Sequence, residues 1–444
     1  MRPTPLVATG LLAAALLTTP TAYAAGETCR GQAATVVGTP GQSGLLGTEG
    51  ADVVVTNGAM SVKALGGNDL VCITGATPSR RQASLDAGPG DDVVDASAST
   101  SAVLVELGAG SDTYTGSSDD ESVHGGTSDA APGGTVDTER DTITTGAGGI
   151  DSVSSGSSRT VLNTDVVLLA GGGSLEWTGP LAAGGRLDGG PDGGSTLTLG
   201  TGSGHVVLDA RAGESSQDGA ASLRWTGFDR FVVGGGDSRT PASFRFLGTG
   251  RDEELTIVFD DSDRGRHHVD MRGGDDRLLI PRDEHVGRAG STYDGGAGRD
   301  SVALWAGPFL DLDLASGRMV TNRGSRARST LTGFDQAYVA AKRLRLSGTK
   351  RGDDLTFQAC TATARGRAGN DVIVQSIYGT TFPDRLRCDR RSFRLYGNDG
   401  KDVLRGSSGN DVLVGGRGRD NVQGNAGRDR CSGEKLRSCE IRLR

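Results

Sequence analysis

Aromatic side chains make up only 4% of these 444 residues, and five lysines leave nearly all of the positive charge to arginine. No stretch beyond the first residues approaches eighteen apolar side chains, so a membrane-spanning helix is not expected. None of the five histidines (His124, His205, His267, His268, His285) stands in H-E-x-x-H, and no G-x-S-x-G occurs. The zinc-protease and serine-hydrolase elbows are thereby excluded. The six cysteines show no C-x-x-C spacing, which argues against a thiolate metal cluster. Cationic excess is missing too: the net charge is -8, and a carboxylate-rich surface repels nucleic acid.

What the chain has in abundance is glycine, 73 residues of it. Glycine raises the entropy cost of folding and adds nothing to an apolar core, so these glycines are there for backbone geometry rather than for conventional packing.

The start of the chain has the pattern of an export signal. Arg2 is followed by an apolar run from Leu6 to Leu17 and by Ala22-Tyr23-Ala24, so residues 1–24 read as a secretory signal cleaved after Ala24. A secreted, extracellular product follows. In an oxidising compartment an even number of cysteines favours disulfides, although six allow many connectivities. Proximity along the chain favours Cys29 with Cys72, Cys360 with Cys388, and Cys431 with Cys439.

The organising feature is a nine-residue unit, G-x-x-G-x-D, repeated four times without a gap. Its glycines and acids are Gly397, Asp399, Gly400 and Asp402; Gly406, Gly409 and Asp411; Gly415, Gly418 and Asp420; Gly424, Gly427 and Asp429. Two residues after each closing Asp comes Leu404, Leu413, Val422 or Cys431, one inward side chain on a very short strand. Complete copies stand alone at Gly47 to Asp52, Gly146 to Asp151, Gly295 to Asp300 and Gly366 to Asp371. Copies that have lost the first glycine end at Asp69, Asp92, Asp112, Asp252, Asp276 and Asp354.

These tandem units resemble the repeats-in-toxin (RTX), or haemolysin-type, calcium-binding nonapeptide. The resemblance implies an all-β fold, a parallel β-roll or β-helix solenoid with Ca2+ held between glycine-rich turns. Calcium takes six to eight oxygens from carboxylates and carbonyls, and a nonapeptide offers both. Two nonapeptides would make one coil, so Asp402 would face Asp420 and Asp411 would face Asp429 around one ion each. Asp371 and Asp300 close the best isolated units and join the expected metal ligands. Without metal the stacked carboxylates repel, so binding and folding should be coupled. Three departures from the family pattern stand out. Asn398, Ser407 and Asn425 replace the second glycine, which asparagine can do at little conformational cost. The interval from Asp371 to Asp402 exceeds one coil and reads as an insertion tied by Cys388 to Cys360. A Cys431–Cys439 bond would cap the last coil.

A longer repeat of 106 residues is superimposed. Leu187-Asp188-Gly189-Gly190 answers Tyr293-Asp294-Gly295-Gly296, and Thr226-Gly227-Phe228-Asp229 answers Thr332-Gly333-Phe334-Asp335. Further on, at a slightly shorter spacing, Leu247-Gly248-Thr249 with Asp252 answers Ser347-Gly348-Thr349 with Asp354. Val206-Val207-Leu208-Asp209 and Leu310 to Leu314 alternate as strands with one buried face. The organisation expected is therefore a signal over 1–24, a degenerate solenoid over 25–183, long strand-rich copies over 184–290 and 291–394, the tandem β-roll over 395–430 and a cap over 431–444.

Nothing in the chain calls for catalysis. The charged stretch Asp260, Asp261, Asp263, Arg264 and Arg266 could line the groove of a polysaccharide-acting β-helix, but reads first as a solvated loop. His267 and His268 point to opposite faces of a strand and read as a solvated pair. Arg351-Gly352-Asp353 has the form of an adhesion tripeptide but falls inside a degenerate calcium repeat. The expectation is a monomeric, non-catalytic calcium-binding protein without nucleic-acid partners. The alternatives are a matrix protein displaying a glycan- or partner-binding face, and a polysaccharide-acting enzyme.

Overall fold

The structure is a computed structural model that describes residues 26–443 apart from 79–80, 127–137, 157–162, 180, 182–183, 192, 202–203, 235–240, 260–264, 283–285, 287, 322–327 and 376–385. The proposed signal, most of the charged stretch at 260–266 and His285 lie outside the described residues. Every regular element among the described residues is a strand. Among the described residues no helix is long and apolar enough to cross a membrane.

Strands pair in parallel with the next but one in sequence, so the chain winds as a solenoid with two walls joined by two edges of turns. Strand Val403–Arg405 lies on Asn421–Gln423 in one wall, while Val412–Arg417 lies on Arg430–Ser432 in the other. A strand of three residues turns only its middle side chain inward. Leu404, Val422, Leu413 and Cys431 are accordingly fully buried.

The inner space is more apolar than the scarcity of aromatics suggested. One contiguous apolar column runs from Val36 to Cys431. The few aromatics are concentrated within it: Phe231 packs edge-on against Phe246 at 5.4 Å and Phe244 against Phe259 at 5.4 Å. Parallel stacking puts like positions directly over one another, so a modest number of large side chains fills a narrow tube. His267 belongs to this column. It is fully buried against Phe244, Phe259 and Tyr293, which corrects the expectation of a solvated pair; only His268 faces outward.

The 106-residue repeat has a structural cause. In each copy one wall is interrupted by an antiparallel triplet: His205–Asp209, Glu214–Gln217 and Ala220–Thr226 in the first, Phe309–Asp313, Arg318–Thr321 and Arg328–Thr332 in the second. Among the described residues the large sheet is thus parallel except at these two insertions, and a separate antiparallel pair, Thr28–Cys29 with Gln32–Ala33, stands at its N-terminal end. The T-G-F-D motif is the corner that follows each triplet. Gly227 and Gly333 adopt φ of 75° and 81°, and the register then slips by one residue at Phe228 and Phe334. A larger residue would suffer at this corner, since a Cβ on Gly333 would come within 2.5 Å of the Gly296 nitrogen.

All three disulfides are those expected from proximity: Cys29–Cys72, Cys360–Cys388 and Cys431–Cys439. Cys388 anchors the long excursion between Val372–Gln375 and Val403–Arg405, yet these two strands remain paired in register, so the insertion enlarges one coil without breaking the wall.

Candidate metal centre at the glycine turns

The closing Asp of each unit points into the solenoid. Asp371, Asp402, Asp411, Asp420, Asp429 and Asp300 are each no more than 1% exposed. Each carboxylate accepts, through Oδ1, a backbone N–H one coil back along the chain. On one edge Asp353, Asp371 and Asp402 donate to Asp371, Asp402 and Asp420 at 2.9, 2.9 and 3.0 Å. On the other, Phe393 and Asp411 donate to Asp411 and Asp429 at 2.6 and 2.9 Å. The expected stacking of Asp402 on Asp420, and of Asp411 on Asp429, is therefore present with a period of 18 residues.

The second carboxylate oxygen divides the turns into two kinds. Oδ2 has no hydrogen-bond partner in Asp371, Asp402, Asp420, Asp429 and Asp300. In these turns the second residue of the unit adopts a left-handed backbone: Arg367 (87°), Asn398 (78°), Gly416 (116°), Asn425 (77°) and Gly296 (94°). Asparagine does stand in for glycine there, as its short polar side chain permits. Asp411 differs. Ser407, its second residue, donates both its backbone N–H and its hydroxyl to that carboxylate. Four other turns are closed in the same way, with Thr48 on Asp52, Ser117 on Glu121, Thr249 on Glu253 and Thr349 on Asp353.

The first glycine keeps a small space open in front of the free oxygen. A Cβ on Gly397 would sit 2.1 Å from Asp402 Oδ2 and 2.5 Å from the Gly415 carbonyl oxygen. Gly366, Gly415 and Gly424 guard the same space before Asp371, Asp420 and Asp429. The glycine at the fourth position of the unit serves coil stacking: a Cβ on Gly418 would fall 1.6 Å from the Gly400 carbonyl oxygen, and Gly400, Gly409 and Gly427 are crowded alike. Gly406 occupies the first-glycine position in the Ser407 turn. Asp399 lies exposed on the outside of its turn and is not brought to the column.

These features fit a hard cation. A buried carboxylate oxygen without a donor, beside a carbonyl oxygen of the next coil, is what calcium coordination requires. Among the described residues no three His, Cys, Asp or Glu side chains converge on one point, so backbone carbonyls would have to complete the shell. Burial pushes Asp371 up to about 7, and the neighbouring carboxylates of Asp353 and Asp402 add to it against the N–H it accepts. Asp402, Asp420, Asp429, Asp411 and Asp300 are also raised, burial being the largest cause in each.

Two assignments made from the sequence shift by one residue. At the copies read as ending in Asp252 and Asp354, the inward acids are Glu253 and Asp353, only 5% and 2% exposed. Asp252 instead belongs to an outer ladder that the sequence reading missed, accepting the N–H of Asp275, whose carboxylate accepts that of Arg299. Asn370 and Asn410 do the same for Lys401 and Arg428. The recurring pair of Asn or Asp followed by Asp was the available signal. Asp353, being buried, also removes the Arg351-Gly352-Asp353 tripeptide from any adhesive role. Glu434 and Glu440 were missed as well. They end the two columns by accepting the N–H groups of Asp420 and Asp429 at 2.8 and 2.7 Å.

The fold and its turns define a class, a parallel β-solenoid whose edges are stacks of buried carboxylates. Within that class, residues 396–432 match the family model of the RTX calcium-binding nonapeptide repeat in four copies. The chain therefore carries a calcium-binding repeat segment of the RTX type. A search of curated proteins finds no match to the chain.

Proposed function

We propose that this is a secreted protein in which calcium is structural, joining successive coils of the tail, and that the chain carries no catalysis of its own. The observation that supports it most is the set of buried, unpartnered Oδ2 atoms facing glycine-lined spaces at Asp371, Asp402 and Asp420. Three disulfides favour an oxidising compartment. Calorimetry and circular dichroism on the chain lacking residues 1–24 test the reading. Calcium should bind at two or more sites, and chelation should remove strand signal; a chain indifferent to chelation would defeat the proposal.

One observation favours a second role, display of a glycan-binding face. Arg345, Arg394 and Arg430 lie in a single register line on alternate coils, with Thr363 and Val412 between them. Their spacing is about 9.5 Å, two ladder intervals. Arg343 sits over Phe309 and Arg365 over Tyr396 beside that line. Such a row suits a linear polymer bearing carboxylates. Replacing the three with glutamine should abolish binding to soluble oligogalacturonate, whereas the same change at Arg277, Arg405 and Arg437 should not; equal losses would mean charge alone is read.

A further inference from the structure

We infer that the tail binds its ions along one edge only, in the two intervals Asp371/Asp402 and Asp402/Asp420, and that the opposite edge is held by a serine in place of metal. The inference rests on the calcium reading and narrows it. An ion shared by two successive coils needs two successive turns with a free carboxylate oxygen. The edge of Asp371, Asp402 and Asp420 supplies three such turns in a row, each with an unpartnered Oδ2, a left-handed second residue and a first glycine. The enlarged coil does not interrupt them, because Asp371 still donates to Asp402 at 2.9 Å.

The opposite edge has no such pair. Both oxygens of Asp411 are taken by Ser407 and by the N–H of Phe393. The Ser407 hydroxyl is itself fixed, accepting the N–H of Gly409 at 3.0 Å while donating to the carboxylate. Asp429 keeps a free Oδ2, but its neighbours on that edge are the closed Asp411 turn and Glu440. The serine donors supply to Asp411 what a cation would supply to Asp402. Its turn is the same device found at Thr48, Ser117, Thr249 and Thr349, which marks G-[ST]-x-x-x-[DE] as the metal-free form of the unit.

The test is calcium titration of the full mature chain by calorimetry, with native mass spectrometry to count ions. Asp402→Asn should remove two ions or weaken both by tenfold or more, since ligand charge sets calcium affinity over about that range. Asp411→Asn should leave count and affinity within about twofold of wild type. Should Asp402→Asn fail to fold, Ser407→Gly gives an independent reading, because reopening that turn should add one ion between Asp411 and Asp429. Equal losses from Asp402→Asn and Asp411→Asn, or no ion gained with Ser407→Gly, would overturn the one-edge assignment while leaving calcium binding intact. A wild-type chain that takes up no calcium would instead defeat the underlying reading.

Discussion

Asp92 and Asp402 occupy the same place in the same turn. Both are buried, both accept the N–H of the column residue one coil back, at 2.8 and 2.9 Å, and both leave Oδ2 without a partner. The difference lies five residues earlier, where Ala87 stands before Asp92 and Gly397 before Asp402. Asp69 and Asp276 likewise follow Ala64 and Met271. A buried side chain at that position occupies the space that glycine leaves open, so these three turns keep the carboxylate ladder but lose the room for an ion. Burial holds Asp69 up at about 6, and Asp92 and Asp276 at about 7. On the calcium reading, the two regions meet one problem, a stack of buried acids, without room for an ion in the first and with a glycine-lined space for one in the second.

Chelation should separate them most sharply. At calcium about a hundredfold above Kd, each bound ion adds roughly 2–3 kcal/mol to the state that holds it. Hydrogen exchange on the whole chain should therefore show residues 397–432 losing protection on chelation while residues 83–153 keep theirs; loss in both would erase the distinction. The cradle glycines come next. Gly397→Ala places a methyl on Asp402 Oδ2 and the Gly415 carbonyl, and should cost the tail its calcium, whereas Ala64→Gly should change calcium binding not at all and stability by only about 0.5–1 kcal/mol.

The C-terminal bond Cys431–Cys439 closes a short loop over the last coil, and its removal should cost about 2 kcal/mol, confined to the tail and larger in chelator than in calcium. The smallest effect is that of pH, and it differs in sign between the regions. A carboxyl whose folded pKa is raised binds protons better in the folded state, so its contribution is full below the ordinary value near 3.8 and is lost as pH rises through the folded value. The N-terminal ladder should accordingly weaken between about pH 4 and 7, with or without calcium. The tail in calcium should do the reverse, weakening as pH falls and protons displace the ion. Thermal melts followed by hydrogen exchange at pH 5 and 8 would show whether the two trends oppose.

Much of this was legible in the residues. A nine-residue period with one apolar side chain per unit determines a thin solenoid, because a three-residue strand can bury only its middle member. Leu404, Leu413, Val422 and Cys431 were identified as inward on that ground, and the eighteen-residue stacking of the acids follows from the two units per coil that the RTX resemblance implies. What the period does not reveal is which oxygen of each acid is already satisfied. That depends on the hydroxyl of Ser407 reaching back to Asp411, a contact visible only when the turn is closed in three dimensions. The one-residue shift to Glu253 and Asp353 has the same origin, since adjacent acids compete for the inward position and the register of the walls decides between them.

The sequence alone determined the repeat and its turn chemistry and favoured the observed pairing of the cysteines, all properties of neighbours along the chain. Only the tertiary structure decided which carboxylates stack on which outside the tandem units, where alanine or methionine closes the cradle, and which arginines fall into line. Those are relations between successive coils, at separations of 11 to 31 residues along the carboxylate columns.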